Sequence, residues 1–313
     1  MDSGAHGMIG APMLSGVLYV DKLAGRSSHD VVGLVRRAAR TRRVGHAGTL
    51  DPFATGLLVV AVGPCTRLLP YIVGEPKVYE ATIQFGSETD TDDSTGRSIR
   101  EAPLPAPAVL CEPAHATRVA AESQLTGRIR QVPPQYSAKH VDGQRAYDLA
   151  RRGQEVVLPP VEIEVHRWEW LGATEQTLDV RITCGGGTYI RALARDLGRA
   201  LGSAAHCATL RRTASGPATV EQAVGYEQLV PGSVADGDVT LRSPLDLLGD
   251  IAREVIDNDG VQALRFGRAL PATLPGSQAA LVHEGAVVAL AVRAGDRWQP
   301  RVVLIGANVG ANG

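Results

Sequence analysis

The sequence predicts an α+β fold: a large domain on a central mixed or antiparallel sheet flanked by helices, followed by a small β-rich domain. Three observations carry this. Long strand-like runs are scattered among amphipathic helical stretches without the strict strand–helix alternation of a parallel sheet. Beyond about Pro244 the chain changes to a short helix and closely spaced strands. The 313 residues suffice for one large domain and a small one, placed at 11–243 and 244–313.

Taken in order, Ser15 to Leu23 reads as a strand. Ser28 to Arg40 carries Val31, Val32, Leu34, Val35, Ala38 and Ala39 at helical spacing, and Ser27 with Asp30 resembles a capping box. Thr41 to Thr55 has no period and reads as a loop, and Leu57 to Val62 as a buried strand. Lys77 to Phe85 alternates apolar and polar residues over strand length. A Ser/Thr/Asp loop, a Pro-rich stretch at Pro103 to Pro107 and a helix near His115 to Leu125 come next. Gly143 to Arg152 reads as a helix closed by Gly153. Val161 to Leu171 and Thr177 to Cys184 read as paired strands, and Thr188 to Leu201 as a helix ended by Gly202. In the C-terminal part a helix at Val261 to Phe266 precedes strands at Ala279 to Val282, Ala286 to Val292 and Pro300 to Ile305.

Composition narrows the function classes. The four cysteines form no C-x-x-C pair and have no histidine at metal-ligand spacing, so neither a disulfide scaffold nor structural zinc is expected. Met1 to Met13 lacks a basic n-region and does not read as a signal peptide. No apolar run approaches the ~18 residues of a membrane span, so a cytoplasmic protein is expected. A net charge of −1 argues against a nucleic-acid partner, but its distribution does not. Residues 11–79 hold 9 Lys/Arg against 4 Asp/Glu, and 126–212 hold 13 against 9. Residues 80–125 hold 3 against 8, and 236–259 hold 2 against 7. Two basic blocks therefore alternate with two acidic ones, as local phosphate binding or mere segregation on a solvated surface would both give.

The stretch Gly45-His46-Ala47-Gly48-Thr49-Leu50-Asp51-Pro52-Phe53-Ala54-Thr55-Gly56 is the most informative. Leu50 and Phe53 would seat Asp51 against a partly apolar wall. A carboxylate placed there loses solvation and becomes a stronger base and nucleophile, provided a cation keeps it ionised. On local physics alone, Asp51 as a turn cap before proline is the favoured reading. The loop Asp90-x-Asp92-x-Ser94 to Glu101 mimics the ligand spacing of an EF-hand, but Thr95 stands where that loop requires glycine. Calcium is therefore not expected.

Residues Gly45 to Leu58 (G-H-A-G-T-L-D-P-x-A-T-G-L-L) resemble the signature of the TruB family of pseudouridine synthases, in an actinobacterial-like form. These are bacterial enzymes that isomerise uridine 55 in the T-loop of tRNA. Lys77-Val78-Tyr79, Pro133 to Ala138, Gly187-Thr188-Tyr189-Ile190-Arg191 with Asp196-Leu197-Gly198, and Leu210-Arg211-Arg212 resemble further family segments in the same order. The likeness covers roughly residues 15–215 well. It implies a pseudouridine synthase fold with Asp51 as the catalytic residue, Tyr79 stacking on the target base and Arg191 pairing with Asp51. It also implies that His46 contacts RNA near the flipped nucleotide, that Lys22 orders the substrate-binding region, and that Leu210 lines the uracil pocket. Tyr189 belongs to the same substrate-binding set. Arg195 and Arg199 extend an i, i+4, i+8 stripe from Arg191, with phosphate or Asp196 as open partners. The C-terminal part is similar, over a short stretch at Ala263 to Arg268, to PUA-type RNA-binding domains. By resemblance the partner is the T-arm of tRNA; the sequence offers no ligand cluster or phosphate loop, so no metal or cofactor is expected, and a monomer without an obligate protein partner is expected. A non-catalytic RNA-binding or tRNA-folding chaperone on the same fold is the alternative; Asp51, Tyr79 and Arg191 are all retained against it.

Overall fold

The computed structural model describes residues 14–136, 140–141, 144–145 and 158–305. β1 (Gly16–Lys22) leads to α1 (Ser28–Ala38), β2 (Val44–Ala47), β3 (Thr55–Val62), a 3-10 helix (Gly63–Tyr71) and β4 (Lys77–Phe85). A small ribbon of β5 (Ser87–Thr89) and β6 (Ser98–Glu101) follows, then α2 (Pro107–Cys111), α3 (Ala116–Gln124) and β7 (Gly127–Gln131). β8 (His140–Val141) and β9 (Gln144–Arg145) pair with each other. The chain continues through β10 (Val161–Ala173), β11 (Thr177–Cys184), α4 (Ile190–Ala200), β12 (Ala205–Ser215), β13 (Ala218–Thr219) and β14 (Val224–Gly225).

One large sheet runs β14-β1-β3-β12-β4-β11-β10-β7, with β2 on β3 and β13 on β12. It is mixed: β12 is parallel to β3 and antiparallel to β4. The period-2 alternation of its strands gives it two buried faces. Leu18, Val20, Leu58 and Val60 pack on Val31 and Val35 of α1. That helix starts where the sequence says, with Ser27 and Asp30 closing a reciprocal capping box. In the other half of the sheet, Ile83, Val180 and Ile182 meet Leu193 and Leu197 of α4.

The C-terminal part is a second sheet, ordered β15-β17-β18-β19-β16, built from β15 (Ala252–Val255), β16 (Leu270–Pro271), β17 (Gln278–His283), β18 (Ala286–Ala294) and β19 (Arg297–Val303). Helix α5 (Asn258–Arg265) packs on it. Trp298 is fully buried at its centre and donates its indole N–H to the Glu254 carboxylate at 2.8 Å.

Several sequence expectations need correction. Thr41 to Thr55 is not all loop: Val44–Ala47 pairs antiparallel with β3, because that strand offers an open edge to a four-residue run too short to show a period. The helix expected over Gly143 to Arg152 conflicts with the two-residue strand at Gln144–Arg145, and its remaining residues lie outside those described. The helix expected from Thr188 begins at Ile190, with Tyr189 as its cap. Strand β12, which the sequence did not reveal, is the centre of the sheet.

Where β3 and β12 touch, Gly56 faces Arg212. Gly56 has φ +97°, and a Cβ there would lie 2.2 Å from the Arg212 carbonyl oxygen. Gly56→Ala is therefore expected to destabilise the protein by about 3 kcal/mol or more through combined strain and clash. Thermal unfolding of the purified variant checks this, and an unchanged Tm would refute it.

Candidate active site

The Asp51 loop lies at the seam of β3 and β12 and is held from three directions. The Ser28 hydroxyl, at the start of α1, donates to the Leu50 carbonyl at 3.0 Å and accepts the Leu50 N–H at 2.9 Å. The Gly25 N–H donates to the Pro52 carbonyl at 2.8 Å. Lys22 is fully buried, and its ammonium donates to the carbonyls of Leu23, Arg26 and Pro52 at 3.1, 2.7 and 3.3 Å. Burial lowers the Lys22 pKa to about 8, against an opposing pull from Asp51. Lys22 thus braces the loop from behind rather than facing a ligand.

Asp51 keeps 35% of its side chain exposed, whereas Arg191 is buried at 3%. One Arg191 terminal nitrogen donates to Asp51 Oδ1 at 3.1 Å, and its Nε lies 2.9 Å from Oδ2 without hydrogen-bond alignment. The other terminal nitrogen donates to the Thr91 carbonyl at 2.7 Å and to Asp93 at 3.3 Å. Asp93 is fixed in turn by the hydroxyls of Thr91 and Thr95 at 2.7 and 2.6 Å and by the Thr95 N–H at 2.9 Å. Loss of solvation pushes the Asp51 carboxyl above the usual carboxylate range; Arg191 opposes this, and the Asp93 charge adds to it. The expected cation is in place, and burial nevertheless outweighs its pull on the Asp51 pKa.

Two concavities share the Thr49-Leu50-Asp51 wall. A cleft of about 970 Å³ is lined by His29, His46, Arg97 and Arg191 among others. A pocket of about 220 Å³ is lined by Lys77, Tyr79, Tyr189, Leu210 and Arg212 as well as Asp51. The site residues expected from the sequence therefore converge, apart from Lys22 behind the loop. His46 lies on β2, in the wide cleft, with its pKa lowered by burial and by the nearby Arg212 and His29. Tyr79 is buried; desolvation pushes its phenol upward against the opposing Arg212 charge, so it makes a poor base at neutral pH. The Tyr189 backbone is clamped by the Gln131 amide, which accepts from its N–H at 2.9 Å and donates to its carbonyl at 3.0 Å.

Sequence reasoning missed Asp93 and Arg212. Arg212 is buried and donates to the carbonyls of Leu57 and Gly48 at 2.8 and 2.9 Å, tying β12 to the loop ahead of Asp51. Asp93 had a signal in the charge blocks. The acidic block supplies the counter-ions of the arginine stripe: Asp93 for Arg191, Asp92 for Arg195 at 2.8 Å, and Glu88 for Arg199 at 2.6 Å. Arg195 also reaches Asp196 at 2.9 Å. Among the described residues no group of three His, Cys, Asp or Glu side chains is placed to hold a metal ion, and no helix is long and apolar enough to cross a membrane.

Three family models tile the chain. Residues 36–190 match the TruB family pseudouridylate synthase N-terminal domain, 191–245 the tRNA pseudouridylate synthase B C-terminal domain, and 252–305 the tRNA pseudouridine synthase II C-terminal model. A tRNA pseudouridine synthase B of Thermobifida fusca is 44% identical over 94% of this chain and 100% of its own length. One of Arthrobacter sp. is 43% identical over 95% of this chain and 98% of its own. Among solved structures, a Cbf5–Nop10–Gar1 complex superposes with a TM-score of 0.67 at 22% identity, over 94% of this chain and 87% of the matched one; this likeness shows the pseudouridine synthase fold. With relatives matched nearly end to end at more than two residues in five, the chain belongs to the TruB family of pseudouridylate synthases.

Proposed function

We propose that this protein isomerises uridine to pseudouridine at position 55 in the T-loop of tRNA, with Asp51 as the essential carboxylate. The observation that carries this is the position of Asp51, paired with Arg191 on the wall between a wide polar cleft and a small pocket holding Tyr79 and Leu210. The cleft accommodates the RNA strand, and the pocket accommodates one base flipped out of it at a cost of a few kcal/mol. Tyr79 stacks on that base, with Leu210 and Tyr189 beside it; base–aromatic stacking is worth about 1–3 kcal/mol. His46 and Arg97 face the RNA from the cleft.

The reaction breaks the N1–C1′ bond, turns the uracil and joins C5 to C1′. No atom is gained or lost, so one carboxylate suffices where a glycoside hydrolase uses two. Asp51 meets the charge that develops on the sugar, by attack or by taking a proton. Residues 11–243 carry this chemistry, and 244–313 add RNA contacts; the chain acts as a monomer without a protein partner. Asp51→Asn should abolish turnover while leaving tRNA affinity nearly intact, since phosphate contacts supply most of that affinity. The check is single-turnover conversion of a T-arm hairpin with the modified position mapped. A variant retaining a tenth of the wild-type rate, or product at another uridine, would sink the reading. A protein that binds and refolds tRNA without conversion would point to the chaperone alternative.

Arg191 sets the pH at which Asp51 works. Burial already raises the Asp51 pKa, and Arg191 is the largest opposing influence. Removing it leaves the carboxylate ionising later, so activity should rise through a limb displaced to higher pH. Arg191→Lys keeps the charge but not the two-pronged geometry, and should lose most activity at neutral pH; Arg191→Met should lose more. Single-turnover rate against pH tests both, and profiles superimposable on wild type would release Arg191 from this role.

The C-terminal part exposes Phe266, 75% accessible, beneath the Arg268 guanidinium, with Arg265 beside it at the end of α5. Arg265→Glu with Phe266→Ala should raise KM for tRNA and leave kcat unchanged. An unchanged KM would remove this surface from RNA binding.

A further inference from the structure

The reading above leaves Lys77 without a task. Its side chain lines the small pocket with Tyr79, Asp51 and Arg212. Residues two apart on a strand share a face, so Lys77 and Tyr79 point the same way from β4, about 7 Å apart along it. Gly48 and Gly186 border Lys77: a Cβ on Gly48 would stand in ordinary contact with its Cε at 3.6 Å, and one on Gly186 would lie 3.5 Å from its Nζ but 2.2 Å from Glu75 Oε1, so the Glu75 carboxylate shares this border. The charged and titratable groups that act on Lys77 are Arg212, Glu75 and Cys184. Among the described residues, however, no carboxylate comes within ion-pair distance of its ammonium and nothing accepts a hydrogen bond from it. Burial lowers its pKa, with Arg212 adding to the effect. A half-buried ammonium that no protein group engages keeps its donors for water or for a ligand, and the small pocket places a ligand's acceptor where that water would be. Arg212, the neighbouring cation, is already committed to the carbonyls of Leu57 and Gly48.

The acceptor follows from the chemistry of the proposed reaction, on which this inference rests. When N1–C1′ breaks, the electron pair stays on N1, and the detached uracil carries a negative charge shared by N1, O2 and O4. The charge opposite, on the sugar, falls to Asp51. Joining C5 to C1′ then uses a ring electron pair, and the proton lost from C5 is balanced by the one gained at N1. Between those events the pocket holds an anion. We propose that Lys77 is a further catalytic residue, whose ammonium donates to a carbonyl oxygen of the uracil ring and stabilises the detached base while it turns. Lys77 gives up no net proton; it supplies a preorganised charge where charge develops.

The test is single-turnover conversion of a T-arm hairpin carrying uridine, 2-thiouridine or 4-thiouridine at the target position, since sulfur accepts a hydrogen bond weakly. Wild type, Lys77→Met and Lys77→Arg are compared at saturating enzyme, with hairpin affinity measured alongside. Lys77→Met should lose about 10²–10³-fold in rate, the usual loss for one such donor, while affinity barely changes. Lys77→Arg should recover part of the rate. One thio substitution should slow wild type strongly and Lys77→Met little further, a coupling that names the oxygen contacted. A wild type indifferent to both sulfur substitutions would overturn the inference without recourse to any variant. So would equal thio sensitivity in wild type and Lys77→Met, which marks a structural role, or lost affinity with an unchanged saturated rate, which marks a phosphate contact. Failure of wild type to convert the uridine hairpin would instead overturn the proposed function itself, and the inference with it.

Discussion

The arrangement depends on one guanidinium shared by two carboxylates. Arg191 sits in the first turn of α4, buried, with Asp51 on one side and Asp93 on the other. Taking one partner from a buried pair such as Arg191–Asp93 costs about 3–5 kcal/mol, which fixes the helix to the Asp90–Gly96 loop; Asp51, partly exposed, is held to the same guanidinium less strongly. The same logic repeats along the helix. On an isolated helix Arg195 would repel both Arg191 and Arg199. Asp92 and Glu88, one segment of the acidic block, meet Arg195 and Arg199 in turn. The chain's near-zero net charge thus conceals a basic helix face neutralised from within, each arginine of the stripe meeting at least one acid.

That neutralisation leaves Asp51 in a graded position. A fully solvated carboxylate would be a weak base, and one buried without a cation would be protonated at neutral pH. Here burial pushes up, and Arg191 and the more distant Lys22 pull down. The two cations differ in kind. Lys22, with a pKa near 8, loses its charge as pH rises through that value, and a guanidinium as a class does not. Above that point the carboxylate depends on Arg191 alone, which gives the arginine the larger share of control across the alkaline range.

How much of this was legible in the sequence varies with distance along the chain. Strands β1, β3 and β4 and the capped helix α1 are local patterns, and their observed bounds fall within two or three residues of those read from periodicity. Strand β12 was not legible because its pleat is broken. Bulges at Cys207/Thr209 and Arg212/Ala214 shift which residues face the core, so A-H-C-A-T-L-R-R-T-A-S shows no clean alternation. The loop carrying Asp51 stood out as a motif, yet its partner Arg191 lies 140 residues away, and local physics gave no distance between them. Asp93 looked like part of a metal-like acidic loop. Only the fold, which sets it beside an arginine 98 residues on, shows what its charge is for.

The two sheets are also less independent than the change of composition near Pro244 suggests. Val17, Tyr19, Leu57 and Val59, on the face of β1 and β3 away from α1, form one apolar layer with Leu247, Val282, Leu290 and Val302. Hydrogen bonds from Arg67 to the Val303 carbonyl at 2.6 Å and from Val73 to the Leu247 carbonyl at 2.7 Å cross the same junction. The C-terminal sheet is therefore a cover for the back of β3, the strand that begins at the Asp51 loop. Removing it would bare that apolar face beneath the site, so a truncation would report on folding before it reported on RNA. Point changes on the exposed end of α5 leave the shared layer intact, and they separate RNA contact from support of the catalytic sheet.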